Sequence, residues 1–240
     1  IGYEIIDDIR ENALIDTSQF GVPQTRKRVI LIGIRSDCVK NPQDILRVFY
    51  QDILPKYKSN RIYTLENAIG DLPPIYPVKP YRKNGRNVSH EVCGHTDITW
   101  HVPRYQNERD IEVFKKLCKD IEDKTNLYSS TDSLIKLYEE TTGKKTSVHK
   151  YHVLKKDEPS TTILAHLHKD GFRFIHYDSK QARTITVREA ARIQTFADDF
   201  DFPCSMGAAY KMIGNAVPSL FAKKLASAVY DFLNTYMGDD

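Results

Sequence analysis

The stretch Gly21-Val22-Pro23-Gln24-Thr25-Arg26-Lys27-Arg28 sets an amide and two guanidinium groups at alternate positions behind a Gly-Pro turn. In an extended chain this period-two spacing puts Gln24, Arg26 and Arg28 on one face. Such a row is a fixed fork of donors. It suits a phosphate or the carbonyl oxygen of a base. Taken alone, it reads more readily as a surface ladder of ion pairs. A second group runs from Thr186 to Phe196. Arg188 and Arg192, four residues apart, share a helix face, and Glu189 is spaced to pair with Arg192. These arginines are expected to brace neighbouring loops rather than to react. The third group, Ile213-Gly214-Asn215-Ala216-Val217-Pro218, is a Gly-Asn turn leading into a helix that opens on Pro. It leaves backbone N–H groups free for a polar or anionic ligand atom. By itself it is a capped turn.

Elements able to hold these groups follow from periodicity. Residues 28–34 form a continuous β-branched run, which predicts a strand covered on both faces, as in a parallel α/β sheet. Strands are also predicted over 3–9 and 171–177. Helices are predicted over 42–53, with Pro at the first turn, and over 107–122 and 132–140. Thr186-x-x-Glu189 is a capping box opening a helix over 187–196. Residues 218–233 place Leu220, Phe221, Leu225, Ala228, Val229 and Phe232 at helical spacing.

Composition bounds what these elements can belong to. The 240 residues carry 35 Lys and Arg against 32 Asp and Glu, a net +3. That balance is too small to argue a nucleic-acid partner from total charge. With 40% apolar and 28% charged residues the chain is globular, not disordered. No apolar run approaches the ~18 residues of a membrane span. Cys38, Cys93, Cys118 and Cys204 are widely spaced, and no signal-like segment opens the chain, so a reducing, cytoplasmic setting is expected. The distribution of charge says more than its sum. All eight histidines lie between His90 and His176. Residues 142–156 hold five lysines and no acid. Pro73, Pro74, Pro77 and Pro80 mark an extended boundary before a second basic stretch over 76–104.

It is the order of the three groups that is specific. Gly21-Val-Pro-Gln-x-Arg-x-Arg28 resembles the eighth motif of the DNA (cytosine-5) methyltransferases. Arg188-Glu-x-Ala-Arg-x-Gln-x-Phe196 resembles the ninth, and Gly214-Asn-x-Val-Pro218 the tenth. Ala68-Ile-Gly-Asp-Leu-Pro73 and Asp157-Glu-Pro-Ser-x-Thr-Ile163 are smaller echoes. The resemblance runs from about Gly2 to Leu233. It implies an α/β fold: a partial Rossmann-like methyltransferase sheet with an inserted small, irregular α+β target-recognition domain. Residues 1–62 would be the last strands of the catalytic domain, 63–205 the target-recognition domain with the ninth motif, and 206–240 the tenth-motif helix returning to the catalytic domain.

The same resemblance implies the roles. Arg28 would contact a flipped cytosine near O2, with Arg26 and Gln24 supporting the loop and the DNA backbone. Asn215, Ala216 and Val217 would close one wall of the S-adenosylmethionine pocket. Arg188, Glu189 and Arg192 would be structural. Double-stranded DNA would be the partner, met by Lys144, Lys145, Lys150, Lys155, Arg82 and Arg86 in the basic region, where phosphate contacts set register and polar side chains read bases. The group His90-x-x-Cys93-x-His95 with His101 lacks a second Cys pair, so no metal is expected.

Family chemistry also needs a Gly-rich turn, a Pro-Cys nucleophile loop and a Glu-Asn-Val segment, and none of the three is found here. Glu11-Asn12-Ala13 and Glu66-Asn67-Ala68 fall in the wrong places. Pro203-Cys204-Ser205 lies between the ninth and tenth motifs, just after Asp198, Asp199 and Asp201, a poor setting for a thiolate. Ala197 stands where the family usually has Pro. The expectation is a C-terminal portion whose N-terminal half is in the same gene or a second subunit. A DNA-binding module without catalysis, or an RNA cytosine methyltransferase, is the alternative.

Overall fold

Three apolar clusters organise the chain, and the first two draw on segments distant in sequence. The computed structural model describes residues 2–236. The first cluster joins both ends. It contains β1 (Tyr3–Ile5), α1 (Ile9–Asn12), β2 (Leu14–Asp16), β3 (Lys27–Val29), β4 (Gly33–Arg35) and α2 (Pro42–Val48), which runs into a π turn over Phe49–Ile53. The long C-terminal helix α8 (Ser219–Tyr236) closes it: Phe221 meets Phe20 edge-on at 5.2 Å between ring centres, and Phe232 meets Phe49 at 5.4 Å.

The 28–34 run departs from expectation. β3 pairs with β2 and β4 with β1, both antiparallel, and every sheet among the described residues has two strands. Tyr50 breaks the run: its hydroxyl donates to the Ile30 carbonyl at 2.8 Å and accepts from the Ile32 N–H at 3.0 Å. Side chains still alternate. Ile30, Ile32 and Ile34 turn to the core, while Val29 and Leu31 remain 52% and 49% exposed. A strand covered on both faces is therefore replaced by two short edge strands with one open face.

The second cluster holds α3 (Leu65–Ile69), α6 (Val187–Ile193) and α7 (Met206–Asn215), with Ile163, Phe174 and Ile185 between them. Capping boxes open α3 at Thr64 and α6 at Thr186, the latter as expected. α7 buries Ala209, Tyr210 and Ile213 here, and α8 then packs Phe221, Ala228 and Phe232 on the first cluster.

The third cluster packs α4 (Glu108–Glu122) and α5 (Thr131–Thr142) around Phe114, Leu117, Leu137, Tyr151 and Ile175. Between the second and third lies the hairpin of β5 (Ile75–Lys83) and β6 (Arg86–Val92). Its register shifts between Pro77 and Tyr81, around prolines that have no N–H to donate. The strand expected over 171–177 is instead a 3-10 turn at Gly171–Arg173, with bridges only at Ile175 to Val153 and Thr184. Here the Phe174 N–H is taken by Gly171, which curls the chain before a ladder can start. Among the described residues, no helix is long and apolar enough to cross a membrane.

Gly214 joins the second cluster to the loop after Ile163. A Cβ there would collide with the backbone of Leu164 and Ala165, which cannot move as a side-chain tip can. Gly214→Ala should therefore lower stability by about 1–3 kcal/mol, read as a drop in the urea midpoint. An unchanged midpoint would show that the two backbones are not held together.

Candidate nucleic-acid and cofactor site

The turn at Gly21 (φ +87°) delivers the Gln24 to Arg28 segment onto residues 160–163. The Ser160 N–H donates to the Pro23 carbonyl and the Thr25 N–H to the Ser160 carbonyl, each at 2.9 Å. Gln24 is fully buried. Its Oε1 accepts from the Ile163 N–H at 2.6 Å, and its Nε2 donates to Gln194 Oε1 at 3.0 Å. Gln194 in turn donates to the Ile213 carbonyl at 2.8 Å. Arg26, 7% exposed, donates from Nη1 to the Ile163 carbonyl at 2.8 Å and from Nη2 to the Gly214 and Ala216 carbonyls at 3.3 Å each. All three sequence groups thus meet through one buried amide pair and one guanidinium.

Among the described residues no carboxylate pairs with Arg26. Burial first, and then the charge of Arg28, hold it below the usual arginine range. Arg28 itself is exposed and, among the described residues, its side chain bonds only to the Lys27 carbonyl at 2.7 Å. Gln24 and Arg26 consequently do not offer free donors in a row with Arg28. They fix the neighbouring segments, and Arg28 alone presents an open guanidinium. Asn215 and Val217 are exposed, and Ala216 half-buried, on the turn whose carbonyls Arg26 holds.

Around α6, the expected bracing is met with different partners. Glu189 pairs not with Arg192 but with Arg183, through two contacts of 2.7 Å, and also accepts from the Thr186 N–H at 2.7 Å. Burial alone would raise the Glu189 carboxyl, but the charge and hydrogen bonds of Arg183 hold it well below the usual range. Arg192 instead grips Asp198 at 2.6 and 2.8 Å and Asp71 at 2.5 Å. Arg188 donates to the carbonyls of Thr99, Ala197 and Phe200 at 2.8–2.9 Å, tying down the loop after α6.

Sequence reasoning missed Arg183 and His176. Arg183 precedes the helix, so no 3.6-residue spacing links it to Glu189. Both line a cavity of about 710 Å³ with Glu66, Lys155, Lys156 and Tyr177. The remaining expected residues are dispersed. Lys144 and Lys145 are exposed after α5, and Lys150 is half-buried. Lys155 pairs with Glu158 at 2.8 Å. Arg82 and Arg86 sit at the exposed β5–β6 tip. Among the described residues no three His, Cys, Asp or Glu side chains form a metal-holding group. His90 bonds to Gln181 and Ser89, and His101 to Pro73 and Thr186.

The chain belongs to the C-5 cytosine-specific DNA methylase family, which residues 1–231 match. It is 31% identical to the type II methyltransferase M.Bpa9945I of Bacillus paralicheniformis, over 98% of this chain and 54% of that one. It is 29% identical to M.MthTI of Methanothermobacter thermautotrophicus, over 95% and 57%. The chain thus spans about half the length of these curated relatives. A crystal structure of an inferred DNA modification methyltransferase encoded within a prophage (E. coli) overlays with a TM-score of 0.55 at 18% identity, covering 97% of this chain and 61% of that one. This last likeness is one of fold.

Burial, with the charge of Arg183 second, pushes His90 down to about 4 and His176 to about 3. Both stay neutral in the fold while the unfolded chain takes up protons near pH 6.5. The unfolded state then binds more protons, so stability falls as pH drops from 6.5 toward 4. At pH 5 the loss is roughly 2 kcal/mol for each histidine. Urea unfolding at pH 7 and pH 5 should show it, and His90→Gln should flatten the dependence. Equal wild-type midpoints at the two pH values would contradict neutral burial.

Proposed function

We propose that this chain is the target-recognition and cofactor-closing part of a DNA cytosine-5 methyltransferase, acting on a cytosine turned out of a DNA duplex. The observation that carries this reading is the junction of Gln24, Arg26 and Gln194, which gathers three family motifs and leaves Arg28 open beside them. In the proposed mechanism Arg28 donates to O2 of the everted base, where charge builds as the ring is attacked. Gln24 and Arg26 hold the surrounding backbone so that no reorganisation is needed at that moment.

S-adenosylmethionine, the family's methyl donor, would supply the methyl group. Asn215 and Val217 fit one wall of a site for it, because an amide and an apolar side chain are displayed on a turn fixed by Arg26. The attacking cysteine is assigned to polypeptide outside this chain. In support, Cys118 is buried and burial pushes its thiol up, Cys38 lies against Asp37, Cys204 lies against Met212, and the exposed Cys93 follows Val92 rather than the proline of a Pro-Cys loop.

The test mixes this chain with a polypeptide supplying the Gly-rich turn, Pro-Cys loop and Glu-Asn-Val segment, and follows methyl incorporation into duplex DNA. Arg28→Ala should lower turnover about 100-fold while changing DNA affinity less than about threefold, because its contact forms with the everted base. Unaltered turnover in that variant would remove Arg28 from the reaction. Methylation of tRNA in place of duplex DNA would replace the substrate.

A further inference from the structure

Residues 107–150 contain nine acidic and nine basic side chains, a neutral segment by count. The structure engages four of the nine acids in backbone and cap contacts. Asp120 turns to the loop after α4, accepting from the Leu127 N–H at 2.7 Å and the Tyr128 N–H at 3.0 Å. Glu122 accepts from the Ser179 N–H at 2.8 Å and its hydroxyl at 2.7 Å, and Glu139 from the Thr146 N–H at 3.1 Å. Asp110 takes the Asn107 amide, its own N–H caps onto Asn107, and Arg109 pairs with it at 2.9 Å. Four acids are thereby spent on holding loops and caps. Lys115, Lys116 and Lys119 are exposed, and among the described residues none has a carboxylate within ion-pair distance.

These three lysines line a groove of about 510 Å³ between α4 and α5, floored by Leu137 and Thr141, in which Glu112 is the one carboxylate. Two residues past Thr142, where α5 ends, come Lys144 and Lys145, also exposed and unpaired among the described residues. From Lys115 to Lys119, α4 covers about 6 Å at 1.5 Å per residue. That is roughly two nucleotide steps of one strand at 3.4 Å each.

We infer that the groove between α4 and α5 is a phosphate track for the DNA backbone, with Lys115, Lys116 and Lys119 as its contacts. The inference deepens the proposed function and rests on it. The track carries no base readout, since lysines on flexible stems meet phosphates as point charges. It holds the duplex while other elements read sequence.

The experiment measures binding of this chain to a 30-base-pair duplex by fluorescence anisotropy across a salt series. The wild type is compared with the triple variant Lys115→Gln, Lys116→Gln, Lys119→Gln. Each phosphate contact contributes about 0.9 to the slope of log affinity against log salt, so the variant should lose about 2–3 from that slope. Its affinity at low salt should fall more than about tenfold. The neutral change at exposed positions, with circular dichroism and urea midpoint unchanged, separates lost contacts from lost folding. A wild-type chain that binds, with a variant of equal slope, overturns the track and leaves the proposed function standing. A wild-type chain with no salt-dependent duplex binding overturns both. Loss of binding to anionic vesicles in the variant, with duplex binding unchanged, would reassign the groove to a membrane surface.

Discussion

One buried guanidinium holds the molecule's distant parts in register. Arg26 reaches across to the carbonyls of Ile163, Gly214 and Ala216, residues 137 to 190 positions further along the chain. A charge taken out of water needs its donors satisfied, and here backbone dipoles do this rather than a carboxylate. Lys cannot imitate it, because a point ammonium does not span three acceptors set apart by a planar fork. Gln24 completes the joint by using both ends of its amide, one on Ile163 and one on Gln194. Any motion of the loop after Ile163 must therefore break bonds to both neighbouring segments. This coupling fixes the backbones of residues 24–26, 163 and 213–216 relative to one another.

The arginines of α6 solve a related problem by other means. Arg183 and Glu189 form a dry pair, each side chain 1% exposed. Such a pair is weak evidence for net stability, since desolvation offsets most of the attraction. Its effect is on geometry. Glu189 also takes the Thr186 N–H, so the helix start and the preceding loop share one carboxylate. Arg188 has no buried acid at all and is satisfied by carbonyls from both sides, as Arg26 is. Within the target-recognition segment proposed above, guanidinium-to-carbonyl bridges thus tie the irregular loops around α6 together, where no strand ladder does so.

What the sequence disclosed follows from which forces are local. The capping box at Thr186, the helices around residues 108–122 and 131–142, and the last helix depend on spacing within a few residues, and they were legible. The run at 28–34 was misread because its bend depends on Tyr50, a hydroxyl eighteen residues away that intercepts two backbone groups. The strand expected at 171–177 failed for a similar reason, since apolar content does not reveal a turn closed at Gly171. At the site, Gln24, Arg26 and Arg28 were recognisable as a set, yet their division into two buried braces and one free group was not. That division depends on what the 160–163 and 213–216 segments bring, which no local pattern encodes. Glu189 shows the same limit: helical spacing favoured Arg192, but the buried Arg183 outside the helix took the carboxylate.

The uncovered surface of the first cluster bears on how the proposed function could operate. Tyr3, Ile5, Leu14, Val29 and Leu31, on or beside the two small ribbons, and Val217, Tyr230 and Leu233, at or near the last helix, are all between 40% and 67% exposed. Two-stranded ribbons are marginal in water without a packed face, and contiguous apolar exposure is normally covered in use. Under the proposed function the covering material is the remainder of the catalytic domain, which would extend the ribbons by pairing at their free edges and close over α8. The same contact would place an incoming cysteine loop on the side where Arg28 and the Asn215 turn are held open. Assembly of the sheet and assembly of the reactive site would then be a single event, both governed by the rigidity that Arg26 imposes on the surface receiving them.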